Sequence, residues 1–129
     1  MKNKVLEVMD DYPTLTYSGF SHWNPSRKTK SEYNKEFMND RKSLSNAENE
    51  VTICLNWLKL VNKIKTINNY NSYGLKHVVE RWTHPREYIA NGSFIVAAII
   101  AGFDVKYNTR TLNACFNISQ KSIKKFNQG

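Results

Sequence analysis

The most apolar stretch of the chain runs almost without interruption from residue 94 to residue 101. Asn91 or Ser93 precedes it as a possible cap, and Gly102 followed by Phe103 comes directly after it. A helix that is apolar on all sides is buried, and a glycine followed by an apolar residue is typical of a helix end. The pattern therefore predicts a central buried helix over residues 92–101.

A second helix is predicted over residues 46–65, where apolar residues recur at three- and four-residue steps from Val51 to Ile64. Ser45 and Glu48 have the spacing of a capping box, in which the two side chains satisfy free backbone amides at the helix start. We therefore expect this helix to begin just after Ser45.

A third helix is predicted over residues 72–82, with Ser72 as its cap and His84-Pro85 as its stop. The stripe expected to face the core consists of Leu75, Val78, Val79 and Trp82. The residues expected to point away from the core or sideways are Lys76, His77, Glu80 and Arg81.

Polar and apolar residues alternate at 105–107 and again at 112–118, which predicts a β-hairpin with a turn at 108–111. Ser119 then has the position of a cap for a last short helix. Ile123 and Phe126 would face inward in that helix, with Lys121, Lys124 and Lys125 outward.

Residues 1–45 have weaker patterns. Pro13 interrupts any helix, and the alternation at 14–18 is compatible with a short strand, so we interpret 1–25 as an irregular arm anchored by Phe20 and Trp23. A thin apolar stripe indicates a surface helix around residues 30–40. The sequence thus predicts one mostly helical α+β domain over residues 1–129. In it, a charged N-terminal arm (1–45) packs on a core of three helices (46–129) that ends in a β-hairpin and a short helix.

Composition adds an asymmetry of charge to this picture. The chain of 129 residues has a net charge of +8, which fits one domain with a basic surface. Residues 1–50 contain 8 Lys and Arg and 8 Asp and Glu, whereas residues 51–129 contain 11 and 3. The excess positive charge therefore belongs to the C-terminal half, where it favours polyanions or forms an ordinary solvated surface.

Several classes of function lack support in the sequence. Cys54 and Cys115 are isolated in apolar contexts, which favours free thiols, and the three histidines do not have the spacing of metal ligands. The longest apolar run is far shorter than the ~20 residues of a membrane span, and no signal peptide is evident. We expect a cytoplasmic, non-enzymatic protein without a cofactor, a membrane partner or a small-molecule substrate.

The basic residues of the C-terminal half are the candidate binding site: Lys76, His77, Arg81, Arg86, Lys106, Arg110, Lys121, Lys124 and Lys125. One hypothesis is a winged helix, with the 73–82 helix as the reading head and the hairpin as a basic wing. The other is a patch that binds single strands or RNA, in which cations hold phosphates and the rings of Tyr73, Trp82 and Tyr88 stack on bases.

The order of three segments, 72–77 (SYGLKH), 88–95 (YIANGSFI) and 113–119 (NACFNIS), resembles a group of short proteins from plasmids, integrative elements and prophages of proteobacteria. The resemblance covers the C-terminal half and not residues 1–45. It implies a mobile-element setting and transfers no activity.

These observations together predict an accessory protein of a mobile element that binds nucleic acid, or a nucleic-acid-loaded complex, through its basic C-terminal half. The alternative is an anti-defence inhibitor of the anti-CRISPR type that binds the protein of an effector complex. On the first hypothesis, Lys76→Glu combined with Arg81→Glu is expected to abolish binding and leave the fold intact.

Overall fold

The computed structural model describes residues 1–20, 29–108 and 111–127 of the chain. This part of the chain contains six helices and one antiparallel hairpin, which is the predicted α+β class. In order, the elements are α1 (Lys2–Asp11), α2 (Lys30–Ser45), α3 (Glu48–Leu58), α4 (Ser72–Trp82), α5 (Asn91–Ile100), β1 (Val105–Tyr107), β2 (Ala114–Phe116) and α6 (Gln120–Asn127).

Helix α5 lies at the centre of the molecule, in contact with α1, α3 and α4. Its residues from Asn91 to Ala98 are all buried, as its apolar sequence predicts. The helix ends at Ile100 with Ala101 as its C-cap, Gly102 follows with a φ of 86°, and the Phe103 N–H donates to the Ala98 carbonyl oxygen. This is the predicted glycine-terminated helix end. The N-cap, however, is Ala90, and not Asn91 or Ser93.

Helix α3 is shorter than its sequence pattern predicts and lacks the predicted capping box. Ser45 belongs to the end of α2, where its hydroxyl donates to the Lys42 carbonyl oxygen at 2.6 Å. The apolar pattern continues to Ile64, yet the helix stops at Leu58. The reason is that the following segment pairs with the C-terminal part of the chain, since the Ile64 N–H donates to the Asn117 carbonyl oxygen.

Helix α4 is capped by Asn71, whose side-chain oxygen accepts the Gly74 N–H at 3.0 Å. The predicted cap, Ser72, is buried, and its hydroxyl oxygen accepts the Ala114 N–H at 3.0 Å. This bond ties the start of α4 to strand β2.

The C-terminal elements agree with the sequence pattern. Strands β1 and β2 pair with Val105 opposite Phe116, and the predicted turn lies partly outside the described residues. The Ser119 hydroxyl caps α6 by accepting the Ser122 N–H, and Ile123 is fully buried. The lysines on the opposite face of α6 are exposed, as predicted.

The N-terminal segment is more regular than expected. Residues Lys2–Asp11 form a helix, so the prediction of an irregular arm is wrong there. Residues 16–19 form a tight turn in which Thr16 pairs with Gly19, in place of the predicted strand. Leu15 and Phe20 are fully buried and, like the apolar face of α1, belong to the single core cluster. The other predicted anchor, Trp23, lies outside the described residues. The predicted surface helix is present as α2.

Within the described ranges, no helix is both long enough and apolar enough to cross a bilayer.

Candidate nucleic-acid interface

The Glu80 carboxylate lies close to three of the basic residues that were predicted to belong to the binding site. Its Oε2 atom lies 3.4 Å from Lys76 Nζ, and its Oε1 atom lies 2.7 Å from His77 Nδ1 and 3.6 Å from Arg86. Glu80 is only 3% exposed and also accepts the Ile89 N–H at 2.9 Å. The charges of Lys76 and Arg86 are therefore neutralised, in part, by a carboxylate inside the fold.

The expectation that Lys76 and Glu80 point away from the core is wrong. Lys76 is 5% exposed, because the loop after α4 folds back over it. The Lys76 ammonium lies 4.6 Å from the centre of the Tyr88 ring and 5.4 Å from that of the Tyr73 ring. Cation–π contacts and the Glu80 ion pair replace the water that this ammonium loses on burial. A helix pattern cannot reveal this, since the covering residues come from a loop.

The electrostatics of Glu80 keep this cluster charged. Burial raises the pKa of the Glu80 carboxyl. The Ile89 N–H and the neighbouring His77 and Lys76 together lower this pKa by more than burial raises it, so it lies below the ordinary value. Glu80 therefore stays ionised at neutral pH. Substituting Lys76 by glutamate would bury a second carboxylate beside it, so Lys76→Glu is unsuited to testing binding without disturbing the fold.

The burial of Lys76 and Glu80 also argues against α4 as the DNA-reading helix of a winged-helix domain. Two of the polar positions that α4 would present to DNA, Lys76 and Glu80, are buried beneath the 83–90 loop. Arg81 is exposed at the end of α4, and Arg86 is exposed in the loop. Arg110 lies outside the described residues, so the proposed wing is described only at Lys106.

A different group of basic residues is exposed on two segments that contain no aspartate or glutamate, residues 59–71 and residues 105–127. We call its members the lysine-rich surface: Lys59, Lys63, Lys65, Lys106, Lys121, Lys124 and Lys125. Four of these lysines were predicted as site residues, and those of the 59–71 segment were missed. The signal for them was present in the sequence, because no acidic residue occurs between Glu50 and Glu80.

Backbone pairing holds the two segments together. Lys63 pairs with Ile118 and Asn71 pairs with Cys115, each in an antiparallel bridge. The Ser119 N–H also donates to the Asn62 carbonyl oxygen at 2.8 Å, so α6 starts beside the segment that follows α3. The fold thus joins stretches of like charge that are about fifty residues apart in sequence.

The lysines of this surface are not neutralised within the described parts of the chain. The ion pairs found there all involve Glu80 and include none of these lysines. Asp104, which directly precedes β1 in the sequence, accepts a hydrogen bond from the Asn117 side chain. A cluster of like charges without counterions attracts polyanions.

A cleft of about 420 Å³ opens between the hairpin and the 67–71 segment, and Lys106 is the member of the lysine-rich surface that lines it among the described residues. Its polar lining is dominated by asparagines, whose side chains both donate and accept hydrogen bonds: Asn68, Asn69, Asn71, Asn108 and Asn113. Lys106 and Tyr107 contribute a cation and an aromatic ring. The Tyr107 ring stacks on Phe20 with centroids 3.9 Å apart and is 42% exposed, so its position is fixed by the core.

The two cysteines are free and have different surroundings. Cys54 is fully buried, and burial together with the charges of Glu50 and Glu80 raises the pKa of its thiol. Cys115 is half-buried and lines the cleft beside Lys106. Among the described residues, no three His, Cys, Asp or Glu side chains converge as metal ligands would.

The site therefore combines exposed cations, asparagine amides and one anchored ring. Asn91 does not cap α5, as the sequence suggested, but connects three parts of the chain: its amide nitrogen donates to the Ser18 and Leu112 carbonyl oxygens and to the Asn113 side chain. Comparison of the chain with known proteins found no matching family model, no matching curated protein and no matching solved structure.

Proposed function

We propose that this chain is a non-enzymatic protein that binds nucleic acid, with a preference for single strands, through the lysine-rich surface and its asparagine-lined cleft. The observation that carries the proposal is the joining of two carboxylate-free segments whose exposed lysines form no ion pair with any of the described residues. Cations of this kind hold phosphates, and counterion release from the nucleic acid supplies most of the affinity.

The preference for single strands follows from the cleft. Side-chain amides can hydrogen-bond to the edges of unpaired bases, and an exposed ring provides a stacking surface. Tyr107 offers such a ring beside Lys106. Reading the bases of a duplex with a helix would need exposed polar positions on that helix, and two such positions of α4, Lys76 and Glu80, are engaged with each other and with the 83–90 loop.

The first test is a salt titration of binding to one fluorescent oligonucleotide as single-stranded DNA, as RNA and as duplex DNA. Lys121→Gln, Lys124→Gln and Lys125→Gln are combined in one variant, since these residues are exposed on α6. Each phosphate contact that is lost should reduce the log–log salt slope by about 0.7 on a single strand and about 0.9 on a duplex. We expect the variant to bind more weakly, with a slope reduced by about two units.

The matched control removes the same charge from α2, where Lys30, Lys35 and Lys42 are also exposed but alternate with acidic residues. We expect this control to keep nearly the full slope. An equal loss in both variants would mean that net charge alone drives binding, which would contradict a defined surface. Binding of the duplex as tightly as the single strand would contradict the role of the cleft.

Cys115 provides an independent measurement inside the cleft. Its thiol lies beside Lys106, so a bound single strand should slow its reaction with a thiol reagent. The buried Cys54 thiol should stay unreactive in the native protein. Unchanged modification of Cys115 at saturating oligonucleotide would place the strand elsewhere.

The mobile-element setting is part of the proposal and rests on the resemblance of residues 72–119 to short proteins of plasmids, integrative elements and prophages. A nucleic-acid-binding accessory protein of such an element would act in the cytoplasm, on nucleic acid alone or on a nucleic-acid-loaded complex. The proposal includes no cofactor and no small-molecule substrate.

A second candidate function, inhibition of an anti-CRISPR type by binding to an effector protein, is favoured by one specific feature. Tyr88 is 63% exposed and Tyr73 is 54% exposed, and the Arg86 side chain beside them is also exposed. Tyrosine and arginine are the residue types that dominate binding energy in protein interfaces. An inhibitor using them would show a shallow salt dependence and would be unaffected by the α6 variant.

A further inference from the structure

A groove of about 650 Å³ lies on a part of the molecule formed by α1, α3 and the end of α5. Its base is apolar and combines buried with half-buried side chains: Leu55, Leu58, Val61, Ile100 and Phe103. Met1, at the start of α1, lines the groove and is 45% exposed. The groove is thus an accessible apolar surface that continues into the core.

One wall of the groove is a single face of a helix. Thr52, Leu55, Asn56 and Lys59 line it, and their spacing places them along one stripe of α3 and its C-terminal end. The opposite side is formed by the end of α5, where Ala101 and Gly102 turn the chain so that Phe103 closes the base. A long wall of this kind fits an occupant that is itself a helix, since a strand would need a sheet edge to pair with.

The charge of the rim has one sign. Lys4, Lys59 and Lys63 line the groove, and the lining residues in the described part of the chain include no aspartate or glutamate. The Lys63 ammonium lies 5.1 Å from the centre of the Phe103 ring, so a cation is held directly over the apolar base. An occupant with apolar residues along one face and carboxylates on either side of that face would be complementary to this arrangement.

We propose that this groove binds an acidic amphipathic helix of a partner protein. The groove shares Lys59 and Lys63 with the lysine-rich surface, but Lys4 and the apolar base belong to the groove alone, and the α6 lysines do not line it, so the two interactions can be tested separately. Apolar side chains of the partner, spaced at three and four residues, would occupy the groove, and flanking carboxylates would face Lys4, Lys59 and Lys63.

The test uses the full chain and two designed helical peptides of about five turns. Both carry leucines along one stripe, and the flanking positions are glutamate in one peptide and lysine in the other. At ~0.1 M salt, we expect the glutamate peptide to bind about tenfold more tightly than the lysine peptide, because opposite charges attract and like charges repel at this rim. Amide resonances of Leu55, Ile100 and Phe103 should shift on binding.

Two substitutions test whether the peptides bind in this groove. Lys4→Glu reverses one exposed rim charge and should weaken the glutamate peptide about threefold or more. Ala101→Phe adds a large side chain at the lip of the groove and should weaken both peptides. The matched control is Lys35→Glu on α2, which makes the same change of charge at an exposed position outside the groove and should leave peptide binding unchanged.

Three outcomes would overturn the proposal. Equal affinity for the two peptides would contradict an acidic partner. Tight binding of laurate without binding of either peptide would indicate that the groove is a site for fatty acids. Concentration-dependent self-association that Ala101→Phe abolishes would assign the groove to a second copy of this chain. The variant with three glutamines in α6 should bind the glutamate peptide as the wild type does. A failure of the groove proposal can therefore be distinguished from a failure of the proposed nucleic-acid binding.

Discussion

The Glu80 carboxylate accepts the Ile89 N–H and faces the cations of Lys76, His77 and Arg86. It therefore connects α4 to the loop that leads into the central helix. Glu50 makes a parallel connection, since its carboxylate accepts the Ala90 N–H at 2.6 Å and the Tyr17 hydroxyl at 2.6 Å. Two carboxylates from different helices thus fix the backbone just before α5 begins, and one of them also fixes the N-terminal segment.

We predict that Glu80→Gln lowers the free energy of unfolding at pH 7 by about 2–4 kcal/mol, because a buried ammonium, that of Lys76, loses its counterion. The folded pKa of Glu80 lies below its usual value of 4.5, so its contribution to stability is complete above that pH. The contribution is lost as the pH falls through the folded pKa. Urea unfolding between pH 7 and pH 3 should show a steeper loss of stability on acidification for the wild type than for the variant.

The matched control for this prediction is Glu87→Gln, which neutralises an exposed carboxylate in the same loop. It should change stability by only a few tenths of a kcal/mol. Equal effects of the two substitutions would mean that Glu80 contributes only as part of the surface charge.

At this scale the sequence identified residue types better than their environments. It indicated a cap at the start of α4, but the capping side chain is that of Asn71, whereas Ser72 bonds to strand β2. The spacing of His77 and Glu80 is that of neighbours on a helix, and their side chains do meet. The sequence did not predict the burial of Lys76, because that depends on Tyr88 returning over the helix from the loop.

Helix α5 approaches another part of the chain closely at Gly92. A methyl group at this position would collide with the backbone carbonyl oxygen of Thr16, in the turn that follows α1. The Gly92 N–H meanwhile donates to the Tyr17 carbonyl oxygen at 3.0 Å. The absence of a side chain is what allows the N-terminal turn to lie against the start of the central helix.

We therefore predict that Gly92→Ala lowers the free energy of unfolding by about 1–3 kcal/mol or more, because the backbone of the turn must shift. The comparison variant is Gly74→Ala in α4, where an added methyl group would meet only ordinary contacts. That change should stabilise the protein by roughly 0.4–1 kcal/mol, since alanine restricts the unfolded chain. Thermal unfolding of both variants measures the difference, and a loss of similar size at both positions would contradict the packing at Gly92.

The elements that were predicted best are those whose sequence pattern and packing agree. The uniformly apolar α5, the alternating hairpin and the capped α6 all form where they were expected. The errors occur where long-range contacts override a local pattern: α3 stops at Leu58 because the segment after it pairs with residues near Ile118. Helix α1 was not predicted, because Pro13 was expected to interrupt any helix in this segment and the apolar stripe of α1 is short.

For the whole molecule, the uneven distribution of charge along the chain was evident from the sequence. The surface on which the lysines come together was not. Counting charges located the excess in residues 51–129, but the lysines of the 59–71 segment join those of α6 only through the pairing of Lys63 with Ile118. The apolar groove could not be foreseen either, because it is built from α1, α3 and the end of α5 together.

The dependence of the core on its N-terminal segment leads to a prediction about the whole chain. Val5, Leu15 and Phe20 are fully buried in the same cluster as the central helix, and the Phe20 N–H donates to the Leu112 carbonyl oxygen at 2.9 Å. A chain that starts at residue 46 would expose that cluster and leave backbone groups unpaired. We expect it to lose the cooperative urea transition that the full chain should give identically by circular dichroism and tryptophan fluorescence.

Two point substitutions separate this packing from a general effect of truncation. Val5→Ala removes methyl groups from a fully buried position of α1 and should lower the free energy of unfolding by roughly 1–3 kcal/mol. Leu6→Ala removes a larger group from the next residue, which is 39% exposed, and should have a smaller effect. If residues 46–129 unfolded cooperatively with an unchanged midpoint, and both substitutions were neutral, the N-terminal segment would be an appendage. The buried contacts of α1 with α5 instead require that it folds together with the C-terminal half as one unit.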